Sequence, residues 1–341
     1  MILVTGGTGF LGSHLLFSLA GGNKKIRALQ RNRSSIDSVR KVFSYYTDNV
    51  EEFFSRISWV EGDMLDPFSL EDALDGVSRV YHAASAVSFD PSDRLSVINN
   101  NIEGTSNLVY ACLKNGVEKL CYVSSVAAIG KGNEGELTTE KDIWKYSKRK
   151  SAYSTGKFHS EMEVWRGINE GLNAVIVNPS VILGPGNWTS GSPSFFYRVY
   201  RGMKYYTKGV TGFVDVRDVC SCMRGLMESP VTGERFILNS ENLLYKELFD
   251  LIAGALGKPG PNVYASDKML EMGWRLEWLR SKLFFSKPVF TKEMARAGRS
   301  RTFYSNEKIR ETLPFAFRPV RETVEWTARI FLEETGRKNG L

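Results

Sequence analysis

Thr5-Gly6-Gly7-Thr8-Gly9-Phe10-Leu11-Gly12 follows the aliphatic run Met1-Ile2-Leu3-Val4 and leads into Ser13-His14-Leu15-Leu16-Phe17. The run before it has the character of a buried strand, and the residues after it are spaced as a helix. A strand, a glycine turn and a helix in that order make a cradle for the pyrophosphate of a dinucleotide. Gly6 permits the tight turn, Gly9 lets the backbone approach the phosphates, and Gly12 allows the helix to pack close on the strand. Thr8, Phe10 and Leu11 carry the chain into a helix whose first N–H groups face the phosphates. Because strand character begins at residue 1, no signal peptide is expected, and a cytoplasmic location follows.

Outward from this motif, short β-branched runs at 25–30, 57–60, 79–83, 119–124, 173–178 and 234–238 alternate with helical periods at 11–20, 69–74, 102–115 and 153–169. That alternation predicts an α/β chain with a parallel sheet. After Pro179 it loosens: Gly184-Pro185-Gly186 turns, an aromatic stretch fills 188–206, and the remainder reads as mostly helical. The economical division is a nucleotide-binding unit at 1–180, to which 217–240 returns, and a smaller discontinuous substrate-binding unit from 181–216 and 241–341. No internal repeat or low-complexity linker interrupts it.

The 341 residues carry 45 Lys/Arg against 38 Asp/Glu, a net charge of +7, and positions 266–341 alone hold 16 basic and 10 acidic side chains. No zinc-finger spacing, RNP signature or continuous basic helix accompanies this charge, so no nucleic-acid partner is expected. No apolar run approaches the roughly 18 residues of a membrane-spanning helix. Cys112, Cys121, Cys220 and Cys222 lack paired metal-ligand spacing, and His14, His82 and His159 form no helical pair. Neither a disulfide framework nor a catalytic metal is expected.

The second strand ends at Gln30-Arg31, where an NAD-binding chain carries an acid for the ribose 2′-hydroxyl. Arg31 can instead bond a 2′-phosphate, with Arg33 or Arg40 as auxiliary cations. NADP(H) is therefore expected in preference to NAD(H). Further on, Tyr153-Ser154-Thr155-Gly156-Lys157 sets a phenol and an ammonium four residues apart on one helix face. The ammonium is expected to lower the Tyr153 pKa toward working pH, so that the phenol exchanges a proton with a substrate oxygen. Ser124-Ser125, at the end of the fifth run, supplies hydroxyls for the same oxygen.

Taken together, these residues resemble the extended short-chain dehydrogenase/reductase family, most closely its dihydroflavonol 4-reductase-like branch, over nearly the whole chain. The likeness adds Gly62-Asp63, His82-Ala83-Ala84, Asn101-Ile102-Glu103-Gly104-Thr105, Pro179 with Gly184-Pro185, and Phe213-Val214-Asp215-Val216-Arg217-Asp218 to the motifs above. It implies a Rossmann-type doubly wound parallel sheet with a smaller C-terminal α+β domain. It implies that Asp63 and Met64 sit by the adenine and that Ala83 and Ala84 line the cofactor groove. Asn101 would order the site, Lys157 would hold the nicotinamide ribose, and Pro179, Ser180 and Val181 would contact the carboxamide. The catalytic serine would be Ser125 rather than Ser124, by its distance from Gly130.

The departures from the family's other branches narrow the reading. Dehydratases resemble Thr-Asp-Glu where this chain has Ser125-Val126-Ala127, so dehydration is not expected. Epimerases present a Tyr and an Asn where Ile129 and Val181 stand, which argues against a nucleotide sugar. A cleft walled by Ser85, Phe89, Ser125, Trp188 and Phe195 would suit a flat or apolar carbonyl compound, although the aromatics equally suit a core. The expected activity is NADPH-dependent reduction of a ketone or aldehyde; the alternatives are a sugar or nucleotide-sugar epimerase and a non-catalytic NADPH-sensing regulator. Two apolar patterns stay open. Phe158, Met162 and Trp165 fit core packing or a two-fold homodimer, and 269–285 fits a lid or core helix better than a membrane-surface helix.

Overall fold

The computed structural model describes residues 1–31, 36–86, 93–132, 135–147, 150–284, 288 and 290–339. The chain runs β1 (Ile2–Thr5), α1 (Phe10–Ala20), β2 (Ile26–Gln30), α2 (Asp37–Phe43), α3 (Val50–Phe54), β3 (Ile57–Glu61), α4 (Pro67–Leu74) and β4 (Arg79–His82). It continues through α5 (Arg94–Lys114), β5 (Lys119–Val123), α6 (Ala152–Asn169), β6 (Ala174–Pro179), β7 (Val181–Leu183), α7 (Ser194–Tyr200), β8 (Tyr205–Tyr206) and β9 (Val210–Asp215). The rest is α8 (Val216–Glu228), β10 (Glu234–Leu238), β11 (Glu241–Leu244), α9 (Tyr245–Ala255), β12 (Val263–Tyr264), α10 (Asp267–Leu283), α11 (Lys292–Ala297), α12 (Glu307–Thr312) and α13 (Val320–Asn339).

The seven runs read as strands are the seven strands of one parallel sheet, ordered β3-β2-β1-β4-β5-β6-β10. The strands read as continuous apolar runs because both faces are covered, and alternate residues serve opposite cores. Ile2, Val4, Tyr81, Cys121, Val123, Val175 and Val177 enter the core shared with α1 and α8, whereas Leu3, Val80, Leu120, Tyr122, Ala174 and Ile176 enter the one shared with α4, α5 and α6. A second sheet, β11-β9-β7, adjoins a third core of Leu183, Phe196, Phe213, Leu248, Val324 and Phe331. All four cysteines are buried and free.

Two elements depart from the sequence reading. α5 begins at Arg94 rather than near 102. Asn99, Asn100 and Asn101 are weak helix formers and hide its first turns, which tertiary packing supplies. α10 is not a core helix: it buries Leu270 alone, rests Trp274 on the small cluster of Ala265, Ala295 and Phe290, and leaves most of its other apolar side chains in solvent. Of the α6 triplet, Phe158 stacks on Trp144 with ring centroids 4.1 Å apart and Trp165 packs on the α4–α6 core. Met162 stays exposed.

Candidate active site

The chain order reverses between β1 and β4, and the crevice beyond the strand ends at such a switch point is where open α/β sheets bind ligands. β1 leads there into Gly6, whose φ of +72° is one that residues with side chains rarely adopt. A β-carbon at Gly6 would lie 2.5 Å from the Ala84 nitrogen, and one at Gly12 would lie 2.0 Å from the Gly6 oxygen. Both glycines are needed for the loop to close on β4 and α1. At Gly9 a β-carbon would meet only the Gly6 oxygen, at 3.2 Å, so its outer side is open. Gly9 is also the N-cap of α1, and no side chain caps the first turn. An open backbone over uncapped N–H groups fits a pyrophosphate. Leu11 is buried, Thr8 is half-buried in the turn, and Phe10 lies against the second glycine turn, its ring 2.9 Å from where a Gly186 β-carbon would be.

Around this cradle, other residues named from the sequence stand at or near neighbouring strand ends. Arg31 is exposed at the end of β2, next to β1. Arg33 lies outside the described residues. Arg40 is not an auxiliary cation: it pairs with Glu51 at 2.9 Å and lies 3.9 Å over the Phe54 ring. Asp63 is exposed after β3, with Oδ1 accepting from the Leu65 N–H at 2.9 Å. Met64 backs onto α5 at Gly104, where a β-carbon would come within 2.9 Å of its own, and its carbonyl accepts from Asn107 at 3.1 Å.

The end of β4 is fastened from below and from the side. Thr105 Oγ1 donates to the Asn101 carbonyl at 2.8 Å, so His82 donates to Thr105 from Nε2 (3.2 Å) and accepts from Thr5 at Nδ1 (2.7 Å). That neutral imidazole is enforced, since burial, with the Lys157 charge nearby, pulls the His82 pKa down to about 3. Ala83 and Ala84 continue this strand end, both half-buried. Asn101 then clasps the loop through both edges of its amide: Oδ1 accepts from the Ala86 N–H at 2.7 Å and Nδ2 donates to the Ala86 carbonyl at 2.8 Å. Ser85 is exposed in that loop, and Phe89 lies outside the described residues.

Next along the sheet, β5 ends in the two serines, and they face opposite ways. Ser124 is buried and donates to Glu161. Ser125 caps the short turn at 126–128, accepting from the Ala127 N–H at 3.2 Å, and its hydroxyl pulls the Tyr153 phenol's pKa downward against burial. Tyr153 lies in the first turn of α6, which Ser151 caps and which Ser154 ties to the same short turn by donating to the Ala127 carbonyl at 2.7 Å. One turn on, Lys157 donates to the Val123 carbonyl at 2.9 Å. The electrostatics correct the sequence expectation. Burial pushes the Tyr153 phenol above its ordinary range, and the opposing pull comes from Ser125 rather than from Lys157. It is Lys157 that is lowered, to about 8, by burial, with Glu161 opposing.

Glu161 escaped the sequence reading. Its carboxylate is wholly buried, yet it accepts from Ser124, from Asn178 Nδ2 at 2.8 Å, from Arg235 at 3.0 Å and from Trp165 Nε1 at 3.3 Å. Asn178 also donates to the Ser125 carbonyl at 3.0 Å, so β5, β6, β10 and α6 meet at this one acid. The signal was the spacing Tyr153, Lys157, Glu161, three groups at successive helix turns on one face.

At the end of β6, Ser180 donates its N–H to the Leu238 carbonyl at 3.0 Å, while its buried hydroxyl has no hydrogen-bond partner among the described residues. An orphaned hydroxyl between Pro179 and Val181 fits a carboxamide partner there. Trp188 and Phe195 go elsewhere. Trp188 donates to Glu334 at 2.8 Å and packs edge-on to Phe331, and Phe195 packs on Phe249; both belong to the third core. No hydrogen bond or ring contact among the described residues joins either to Ser125 or Tyr153. Their apolar area is used in packing, the outcome aromatics most often meet. Beyond β10, a cavity of about 750 Å³ is lined by Asn239, Ser240, Asn242, Tyr304, Asn306 and Arg310 among others, and neither Ser125 nor Tyr153 lines it.

A phenol and an ammonium one helix turn apart, beside a dinucleotide cradle, are the working arrangement of short-chain dehydrogenases/reductases, enzymes that use a nicotinamide cofactor. Within that class the chain belongs to the NAD dependent epimerase/dehydratase family, whose model matches residues 2–239. A Synechocystis protein provisionally named dihydroflavonol 4-reductase is 31% identical over 76% of this chain and 73% of its own. Sterol demethylase protein B of Methylococcus capsulatus is 29% identical over 79% of this chain and 78% of its own. The solved structure of gox2253 superposes with a TM-score of 0.81 at 29% identity, covering 99% of both chains. The UDP-glucose 4-epimerase of Thermotoga maritima, at 21% identity and a TM-score of 0.76 over 98% of this chain and 99% of that one, shares the fold. Among the described residues, no helix is long and apolar enough to cross a membrane.

Proposed function

We propose that the chain is an NADPH-dependent reductase of a ketone or aldehyde, acting reversibly as an alcohol dehydrogenase. The observation that carries this reading is the placement of Tyr153 and Lys157 one turn apart on α6, fastened to the end of β5 that carries Ser125: Lys157 donates to the Val123 carbonyl at 2.9 Å and Ser154 to the Ala127 carbonyl at 2.7 Å. When bound, the nicotinamide supplies the hydride to the carbonyl carbon. Ser125 offers its hydroxyl to the carbonyl oxygen, and Tyr153 gives its proton to that oxygen as negative charge develops there. A phenol pushed up by burial keeps its proton at neutral pH, the state an acid needs for reduction. Lys157 supplies a positive charge beside the phenol and holds the ribose. Asn101 keeps the loop at 83–86 in place, and Ser85 stands in that loop as a substrate contact.

The relatives named for reductase activity support the reductive direction. Arg31, in the place of an acid, supports NADPH over NADH. The third apolar core supports a substrate-binding unit built from 181–216 and 241–341 over a cofactor-binding unit of 1–180 and 217–240. Within that division Ile309 and Leu313 of the C-terminal segment pack back on the first core. Four unpaired cysteines accord with a cytoplasmic location, and exposed Met162 on α6 and Tyr110 on α5 accord with a homodimer across those helices. The test is a panel of ketones and aldehydes followed by NADPH absorbance. Tyr153→Phe should bind NADPH as before and lose roughly 10²–10⁴-fold in turnover; unchanged turnover in that variant would contradict the role of the phenol.

A further inference from the structure

Helix α10 presents an apolar stripe that the fold does not use. Met269, Met272, Leu276, Leu279 and Leu283 follow one another at three- and four-residue steps along one helix face, and they are 40, 60, 60, 49 and 66% exposed. The helix is held to the molecule from its other side, through Leu270 and Trp274. A hollow along the helix is walled by its own side chains, Met272, Trp274, Arg275, Leu276, Trp278 and Leu279.

Charge is arranged around the stripe with a single sign. Lys268, Arg275 and Lys282, at seven-residue intervals, follow one border, and Arg280 lies on the other. The acids of the helix lie off the stripe. Asp267 and Glu271 reach Arg299 at 3.8 and 2.7 Å, and Glu277 pairs with Arg280 at 2.7 Å. The remaining pair, Arg275 with Glu271 at 3.2 Å, is an exposed contact of the kind that exchanges easily for another anion.

We propose that α10 docks the protein on a membrane surface that carries anionic phospholipid, its stripe sunk at the boundary of headgroups and acyl chains and its cations on the headgroup phosphates. Seventeen residues make a rod of about 25 Å, enough to lie in that boundary, and the bordering lysines and arginines can extend their stems along it. The charge pattern selects this occupant over a second copy of the chain, because a two-fold contact through the stripe would bring the same cations face to face. The proposal does not depend on the reading of the active site.

Sedimentation of the purified full-length chain with vesicles tests it. Phosphatidylcholine vesicles containing phosphatidylglycerol should capture the protein, pure phosphatidylcholine should capture little, and added salt should weaken capture. Leu276→Glu/Leu279→Glu should bind at least about 10-fold more weakly, and Lys268→Ala/Lys282→Ala roughly 25-fold more weakly, at about 5-fold for each cation. Both variants should keep the wild-type unfolding midpoint, since none of the four side chains is in a core. Failure to bind the mixed vesicles, or equal binding by the variants, overturns the proposal. So does a wild-type dimer in analytical ultracentrifugation that Leu276→Glu/Leu279→Glu dissolves.

Discussion

Lys157 carries its charge where the surroundings resist it. Burial draws its pKa down to about 8, while Tyr153, on the same helix face, is pushed above the ordinary phenol range. These shifts have opposite consequences for reduction. Tyr153 keeps its proton through neutral pH and stays competent as an acid, whereas Lys157 loses its charge as pH rises through about 8. The kcat/KM for carbonyl reduction should therefore be level through neutral pH and fall above about 8. Lys157→Arg, which stays charged, should lose that alkaline limb even if it turns over slowly; an unmoved limb would assign it to another group. Arg31 is tested separately by cofactor affinity. A charge-assisted contact to a 2′-phosphate is worth roughly 1.5–3 kcal/mol, so Arg31→Ala should weaken NADPH binding about 10- to 150-fold and leave NADH binding unchanged. Equal binding of the two cofactors by the unaltered chain would remove the argument for a 2′-phosphate site.

The pairing of β5 with α6 gives those residues their positions, and Glu161 is the point where the two elements are joined. A buried carboxylate is stable here because four donors surround it, one of them the Arg235 guanidinium at 3.0 Å. Glu161→Gln keeps the side-chain shape but leaves Arg235 without its counter-charge, which should cost about 3 kcal/mol in urea unfolding. Arg235→Met in the same chain should recover part of that loss, and strict additivity would show that the pair is not coupled. A second readout separates this role from general stability. Glu161 holds the Lys157 pKa up, so its neutralisation should move the alkaline limb of the rate profile to lower pH.

Across the whole molecule, what could be read from the sequence is what local spacing encodes. The seven sheet strands are contiguous aliphatic runs separated by turns, and the glycine loop and the Tyr153–Lys157 pair are complete within a few residues. What could not be read depends on partners distant along the chain. Glu161 looks like one acid on a solvated helix face until Arg235 arrives from β10, 74 residues later. Trp188 and Phe195 have the composition of a pocket wall, and only the arrival of α13 and α9 makes them core. The apolar residues of α10 have the composition of a core helix, but nothing among the described residues packs over their outer face. On the proposed reading, the cradle and the Ser125–Tyr153–Lys157 group together pass hydride from an exchangeable NADPH to a carbonyl. Deuterium-labelled NADPH tests it most directly: NADPH should be consumed in proportion to substrate, with deuterium recovered on the carbinol carbon of the product alcohol. Cofactor retained by the enzyme, with a nucleotide sugar epimerised and no net consumption of NADPH, would contradict it.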